Sequence, residues 1–338
     1  MTAKRMIPTA PAAPARPATI WFALITVYLV WGSTYLAIRV VVESAPPLMA
    51  MGTRFVLAGA IMAAFLAVRH GVTVLRVSWR QLASASLVGA LLLLCGNGFV
   101  AIAEQTVPSG LTALLIAATP LWLVLLRVTA GDRPRALSLT GTALGFIGIA
   151  VLARPGGHEG DIETWGLLLL AGAPIAWAIG SFYSSRLPMP PNPFVATMWE
   201  MTVGGGLMML VGVGRGELDG FAVGEVEGVA WAWLAYLVVF GSLAAFTAYV
   251  WLLQNAPISL TATYAYVNPV VAVALGALVL AEPITTAIVL GGLVVVLGVG
   301  LVVSTERPRR APPTPAGAGP DAVLEPDLHK ASAARSPK

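Results

Sequence analysis

Ten stretches of apolar residues run through this chain, at 20–42, 47–68, 81–104, 109–129, 136–153, 164–186, 193–214, 229–253, 257–280 and 284–304. About 20 such residues carry one helix across the hydrocarbon of a bilayer. The hydrophobic share is 57% and the charged share only 11%, with a mean hydropathy of +0.83. A soluble domain carries about 25% charged residues, so a soluble fold is excluded. A transmembrane β-barrel would alternate apolar and polar positions over segments of about 10 residues. These runs are instead continuous and rich in Leu, Val, Ala and Gly. Helices satisfy their backbone hydrogen bonds within one segment, so the reading is an all-α, polytopic membrane protein with ten transmembrane helices. Lys4, Arg5 and Arg16 precede the first run, which is too long for a signal-peptide core and lacks a clear cleavage site. It reads as an uncleaved first span.

The chain also repeats itself. Gln105, Pro108, Leu111-Thr112-Ala113 and Pro120 recur as Gln254, Pro257, Leu260-Thr261-Ala262 and Pro269, at a constant offset of 149 residues. Gly32-Ser33-x-Tyr35 is echoed by Gly180-Ser181-x-Tyr183, and Pro47 with Arg54 by Pro193 with Glu200. The expected organisation is a short N-terminal segment (1–19), a first five-span repeat (20–153), a second (154–304) and a tail (305–338). With an odd number of spans per half, the second copy enters the membrane from the opposite side. Inverted repeats of this kind are the usual build of secondary transporters, with the substrate site near the midplane where the halves meet.

Lys and Arg in short loops set orientation. With the N-terminus inside, the inner loops hold Arg69, Arg76, Arg80, Arg127, Arg133, Arg135 and Arg186, and the outer loops only Arg39, Arg154 and Arg215. Both termini are therefore expected in the cytoplasm. The tail after Arg307 is rich in Pro, Ala and Gly, a composition expected to stay disordered.

Ionisable residues inside spans are costly and rare, which singles out Arg54 in the second span and Glu200 in the seventh. Each lies seven residues past a span-opening proline, about 10 Å deep at 1.5 Å per residue. Entering from opposite faces of a core about 30 Å thick, they form a pseudo-symmetric pair too far apart in depth for an easy salt bridge. One reading makes Arg54 an anchor for an anionic group such as a carboxylate and Glu200 a protonatable or cation-binding group. The other has Arg54 snorkelling to the interface and Glu200 bonded to a neighbouring helix. Trp31, Ser33 and Tyr35, with Trp177, Ser181 and Tyr183, set small and aromatic residues at matching places in the two halves. They serve either close packing or a pocket wall. The ninth span is unusually polar around Tyr264, Tyr266 and Asn268, and is expected to line a cavity. Asn97 in the third span is a weaker candidate. Pro120 and Pro269 each remove a backbone donor and are the expected bending points. Gly141, Gly145 and Gly148, with Gly291, Gly298 and Gly300, offer small-residue faces for helix packing.

No P-loop sequence is present, so ATP hydrolysis by this chain is not expected, and no cofactor or metal is implied. The lone Cys95 allows no intrachain disulfide, and His70, His158 and His329 fall outside the spans, which argues against an intramembrane enzyme. The net charge of +4 comes mostly from topology-setting arginines, not from a nucleic-acid site. The expected partners are the lipid bilayer and a small-molecule substrate; oligomeric state is not readable.

Together, WGSTYLAIRVVVESAPPLM (31–49), GNGFVAIAEQTVPSG (96–110) and YAYVNPVVAV (264–273) resemble the EamA-type transporters of the drug/metabolite transporter superfamily, in their YedA-like bacterial branch. The resemblance covers about residues 20–304. It implies a transporter of the bacterial inner (plasma) membrane that moves small organic metabolites, such as amino acids, or drugs outward by alternating access. Proton coupling, exchange and facilitated diffusion all stay open, and a passive channel or membrane-assembly component is the alternative.

Overall fold

The computed structural model describes residues 16–152, 163–256 and 258–305. Every regular element among the described residues is a helix, and none is a strand. In chain order the helices are α1 (Pro17–Ser44), α2 (Pro47–His70), α3 (Trp79–Ala103), α4 (Ser109–Ile116), α5 (Thr119–Thr129), α6 (Ala136–Leu152), α7 (Thr164–Ser184), α8 (Pro193–Gly214), α9 (Gly228–Leu252), α10 (Ile258–Thr261), α11 (Tyr264–Leu280) and α12 (Thr286–Thr305). Eight are long and apolar enough to cross a membrane, with α4 and α5 counted as the single stretch Ser109–Thr129; α6 and α11 are shorter apolar helices. The molecule is a multi-pass membrane protein. Its outward faces carry bare apolar side chains such as Phe22, Val68, Leu278 and Leu297, which lipid solvates and water would not. The chain before Arg16, the segment around His158 and the tail after Thr305 lie outside the described residues.

Local chemistry sets the helix ends. Proline, pre-set for helix and needing no donor in the first turn, opens α1, α2 and α8. Ser78 and Gln81 form a reciprocal capping box at α3, and the Asn192 side chain accepts from the Phe194 N–H at α8.

Two helices carry a wide-turn π stretch, Ala90–Gly98 in α3 and Leu237–Ala244 in α9, starting 147 residues apart. Such stretches widen the helical turn and are frequent at functional sites. The Asn97 amide donates to the Leu92 carbonyl, five residues back. Two other stretches break. The run 109–129 is interrupted at Ala117–Ala118, just before Pro120, which sits in the first turn of α5. The run 257–280 is interrupted at Ala262–Thr263, whereas Pro269 lies inside α11. At that interruption Thr263 Oγ1 donates to the Leu260 carbonyl, a bond that competes with the helical ladder.

The helices pair across the two halves of the sequence: α6 on α12, α2 on α8, α4 on α11, α1 on α9 and α11, and α7 on α3 and α5. Glycine makes the closest approaches. A methyl added at Gly298 would lie 2.5 Å from the Gly145 nitrogen, and one at Gly141 2.7 Å from the Gly298 carbonyl. Gly300 faces open space, so it takes no part in this seam.

Candidate functional site

A cavity of about 550 Å³ opens where α1, α2, α3, α4, α5, α7, α8, α9 and α11 converge. It falls in the size range of small-molecule sites. Trp31, Tyr35, Arg54, Asn97, Trp177, Ser181, Glu200, Tyr264 and Asn268 line it, as do both prolines, Pro120 and Pro269. Ser33, Tyr183 and Tyr266 do not. Ser33 turns away to bond the Tyr236 hydroxyl at 2.6 Å and the Val30 carbonyl at 2.9 Å, tying α1 to α9. Tyr183 is 46% exposed and packs edge-on against Phe182. Tyr266 stands beside Tyr28 and Thr263, which are themselves hydrogen-bonded.

Arg54 is only 4% exposed, which corrects the snorkelling alternative: the side chain runs inward. Its Nε donates to Ser242 Oγ at 2.9 Å, in the π stretch of α9, and its Nη1 approaches the Met51 sulfur at 3.8 Å. The guanidinium carbon lies 4.6 Å from the centre of the Phe55 ring. No salt bridge joins it to Glu200 or to any other carboxylate among the described residues. A buried cation held only by a hydroxyl, a thioether and a ring face is under-compensated. Glu200, on α8, contributes the cavity's carboxylate.

The aromatic wall is built from three elements. Trp31 lies 5.1 Å from Tyr249 and 5.2 Å, edge-on, from Tyr264, and the two tyrosines are 5.6 Å apart. These are favourable quadrupole geometries. The Trp31 indole N–H donates to the Gly241 carbonyl at 3.2 Å, fixing the ring against the π stretch of α9.

Ser242, Phe246 and Tyr249 line the cavity but are not among the residues picked from the sequence. They recur at i, i+4 and i+7, one face of a helix. That stripe was the available signal, hidden because the eighth apolar run has no charged residue to draw attention. Thr34, Thr197 and Ser184 also line the cavity, with no pattern to separate them from ordinary span hydroxyls.

The model of the EamA-like transporter family matches residues 18–154 and again 164–304. An Escherichia coli (strain K12) protein described as the uncharacterized inner membrane transporter YedA is 41% identical over 264 residues, covering 75% of this chain and 80% of that protein. The chain belongs to the EamA-like transporter family. More distant relatives include the Bacillus subtilis (strain 168) uncharacterized transporter YvbV, 22% identical over 86% of this chain and 93% of that one. A probable amino-acid metabolite efflux pump of E. coli K12 is 28% identical over 48% of this chain and 52% of its own length. One solved crystal structure superposes with a TM-score of 0.58 at 21% identity, covering 85% of this chain and 96% of that chain, which shows a shared fold. The sequence resemblance to EamA transporters is thus met by the family model and by the YedA relative.

Proposed function

We propose that this chain is a secondary transporter of the bacterial inner membrane that exports small zwitterionic organic solutes of the amino-acid kind, with an apolar or aromatic body. The observation that carries this reading is Arg54: a buried cation on a cavity wall, without a carboxylate partner. A solute carboxylate supplies the missing charge in a fork geometry that a guanidinium matches. Glu200 takes the solute ammonium, or a proton in its place, and the Trp31–Tyr249–Tyr264 wall takes the body. The amino-acid efflux pump among the distant relatives agrees with this class.

Two inverted five-span halves, ten spans in all, support alternating access. A twofold that exchanges the halves would map α2 on α8 and α6 on α12 each onto itself. It would also exchange α1 on α9 with α7 on α3, and α1 on α11 with α7 on α5, and all these contacts are present. The two π stretches also fall on exchanged helices. In this reading the turn after Ala103 and the turn after Leu280 lie at the outer end, and both termini lie inside.

The test is flux in proteoliposomes with a pool of radiolabelled amino acids. Saturable uptake with counterflow, in which unlabelled solute inside accelerates entry of label, is the expected result. Flux linear in concentration and without counterflow would favour a passive channel and sink the carrier reading.

A further inference from the structure

One buried titratable group is not used by the cavity. Glu104 lies one residue past α3, is 0% exposed, and neither carboxylate oxygen has a hydrogen-bond partner. Close by, Glu282 reaches back from the turn after α11 to the N-terminus of α4. Its carboxylate accepts the Ser109 N–H at 2.7 Å and the Gly110 N–H at 3.0 Å. A pocket is built around this contact. Gly276 on α11 has no side chain where a methyl would strike the Glu282 carboxylate and lie 2.9 Å from the Ser109 hydroxyl. Ala281, at φ 53° the only described residue besides glycines with positive φ, holds a conformation L-residues rarely adopt and turns Glu282 inward. The counterpart turn after α5, with Gly131 at φ 87°, sends Asp132 back to Arg127 of its own helix at 3.1 Å.

The charges facing Glu104 are those of Glu282 and Arg39, and Tyr35 on the cavity wall in turn feels Glu104. Arg39 is already engaged: its Nε pairs with Glu43 at 3.3 Å, and its Nη1 donates to the backbone carbonyl of Glu104, not to the carboxylate. Glu282 accepts two amide hydrogens at a helix N-terminus, where the helix dipole favours a negative group. Glu104, fully buried and without a hydrogen-bond partner beside that second carboxylate, is in the position where a carboxyl group neutralises itself.

We propose that Glu104 and Glu282 form a proton-binding carboxylate pair, with the proton on Glu104, that holds the outer end of the transporter closed. Opening pulls Glu282 off the Ser109 and Gly110 amides and admits water. Glu104 then ionises and releases its proton to the outer aqueous phase; closing takes one proton back from it. The closed state binds one proton more, so closure is favoured as external pH falls and opening as it rises. The closed-to-open ratio changes by at most about tenfold per pH unit. The assignment of the outer side rests on the transporter reading above; the carboxylate pair does not.

The experiment uses the full chain in lipid with Cys95→Ala and spin labels at Gln105→Cys and Thr286→Cys, both exposed at this end. Double electron–electron resonance across a pH series should show a longer distance growing in as pH rises. Glu104→Gln should stay at the short distance at every pH, and Glu282→Gln at the long one. An infrared band of a protonated carboxyl group, recorded in a Glu200→Gln background at neutral pH, should vanish in Glu104→Gln. A Glu104→Gln protein that keeps the parent's pH response, or the infrared band, overturns the proposal. So does a parent with one distance at all pH values, or a distance that follows sodium at fixed pH. Should Glu104→Gln fail to fold, the parent's titration and a shifted titration in Glu104→Asp carry the decision. No readout needs a solute, so a chain that transports none of the amino acids tested still decides this question.

Discussion

The α6–α12 pair and the α2–α8 pair are both closed by glycine, yet only the second carries charge into the cavity. In the first, Gly141, Gly145 and Gly148 meet Gly291 and Gly298 at backbone distance, and one hydroxyl pair, Ser138 to Thr305 at 2.5 Å, fastens the end. No residue of either helix lines the cavity. In the second, a methyl on Gly52 would sit 2.8 Å from the Gly205 carbonyl and one on Gly205 2.8 Å from the Gly52 carbonyl. From the same two helices Arg54, Phe55, Thr197, Glu200 and Met201 face the cavity. Lipid is as apolar as leucine, so helices in a bilayer associate through close packing, which small residues allow. The comparison teaches that this one packing device serves as a plain seam where a helix shows only glycine, and as the mount of a site where charged side chains flank the glycines.

The largest expected effect breaks the plain seam. Gly298→Leu should lower stability by about 3 kcal/mol or more, because the neighbour it meets is backbone and cannot rotate away. Gly300→Leu, with open space around its Cβ position, should leave the melting temperature within a degree or two, roughly the scale of an innocuous surface change. Thermal melts in detergent read both. Equal losses for the two would mean that general helix crowding, not the seam, sets stability.

Charge should behave in the opposite way. Arg54→Met replaces a buried, under-compensated cation with an apolar chain of similar length, and such replacements are often neutral or stabilising. Flux of a zwitterionic solute should fall about 100-fold, the scale of losing a charge-assisted hydrogen-bond pair, while the melting temperature holds or rises. A large fall in melting temperature would make Arg54 a structural group and remove it from the site. Glu200→Gln should be milder. Flux of the zwitterion should drop about tenfold, equivalent to about 1.4 kcal/mol, and flux of an N-acetylated analogue should change little. Equal losses for both solutes would mean that Glu200 does not face the ammonium.

Continuous apolar runs and low charge made the all-helical membrane fold legible in the sequence, because lipid imposes one solution on such runs. Arg54 and Glu200 stood out for the same reason: a charge in a span is conspicuous. What stayed hidden depends on three-dimensional approach. The π stretches have no composition of their own, and the break at Ala262–Thr263 falls several residues before the proline that draws the eye. Ser242 and Tyr249 matter through what they face across another helix. Glu282 reads in sequence as a solvated loop acid, and only the left-handed turn at Ala281 delivers it to the α4 N-terminus.

The finest separation between the two pairs comes from removing one hydroxyl in each. Ser138→Ala deletes the Ser138–Thr305 bond in the seam, a loss of about 0.6 kcal/mol on the scale of hydrogen bonds between membrane helices, with flux unchanged. Ser242→Ala deletes the hydrogen bond that fixes the Arg54 Nε and leaves a buried cation short of a partner, at a cost of about 1–3 kcal/mol. A bound carboxylate restores that partner. Solute should therefore raise the melting temperature of Ser242→Ala by more than it raises that of the parent, while Ser138→Ala responds to solute as the parent does. The comparison is made by melting each protein with and without saturating solute. An equal solute response in Ser242→Ala and the parent would detach Arg54 from the solute even if Arg54→Met abolishes flux, because a guanidinium that meets a solute carboxylate cannot lose a neighbouring acceptor without the solute registering it.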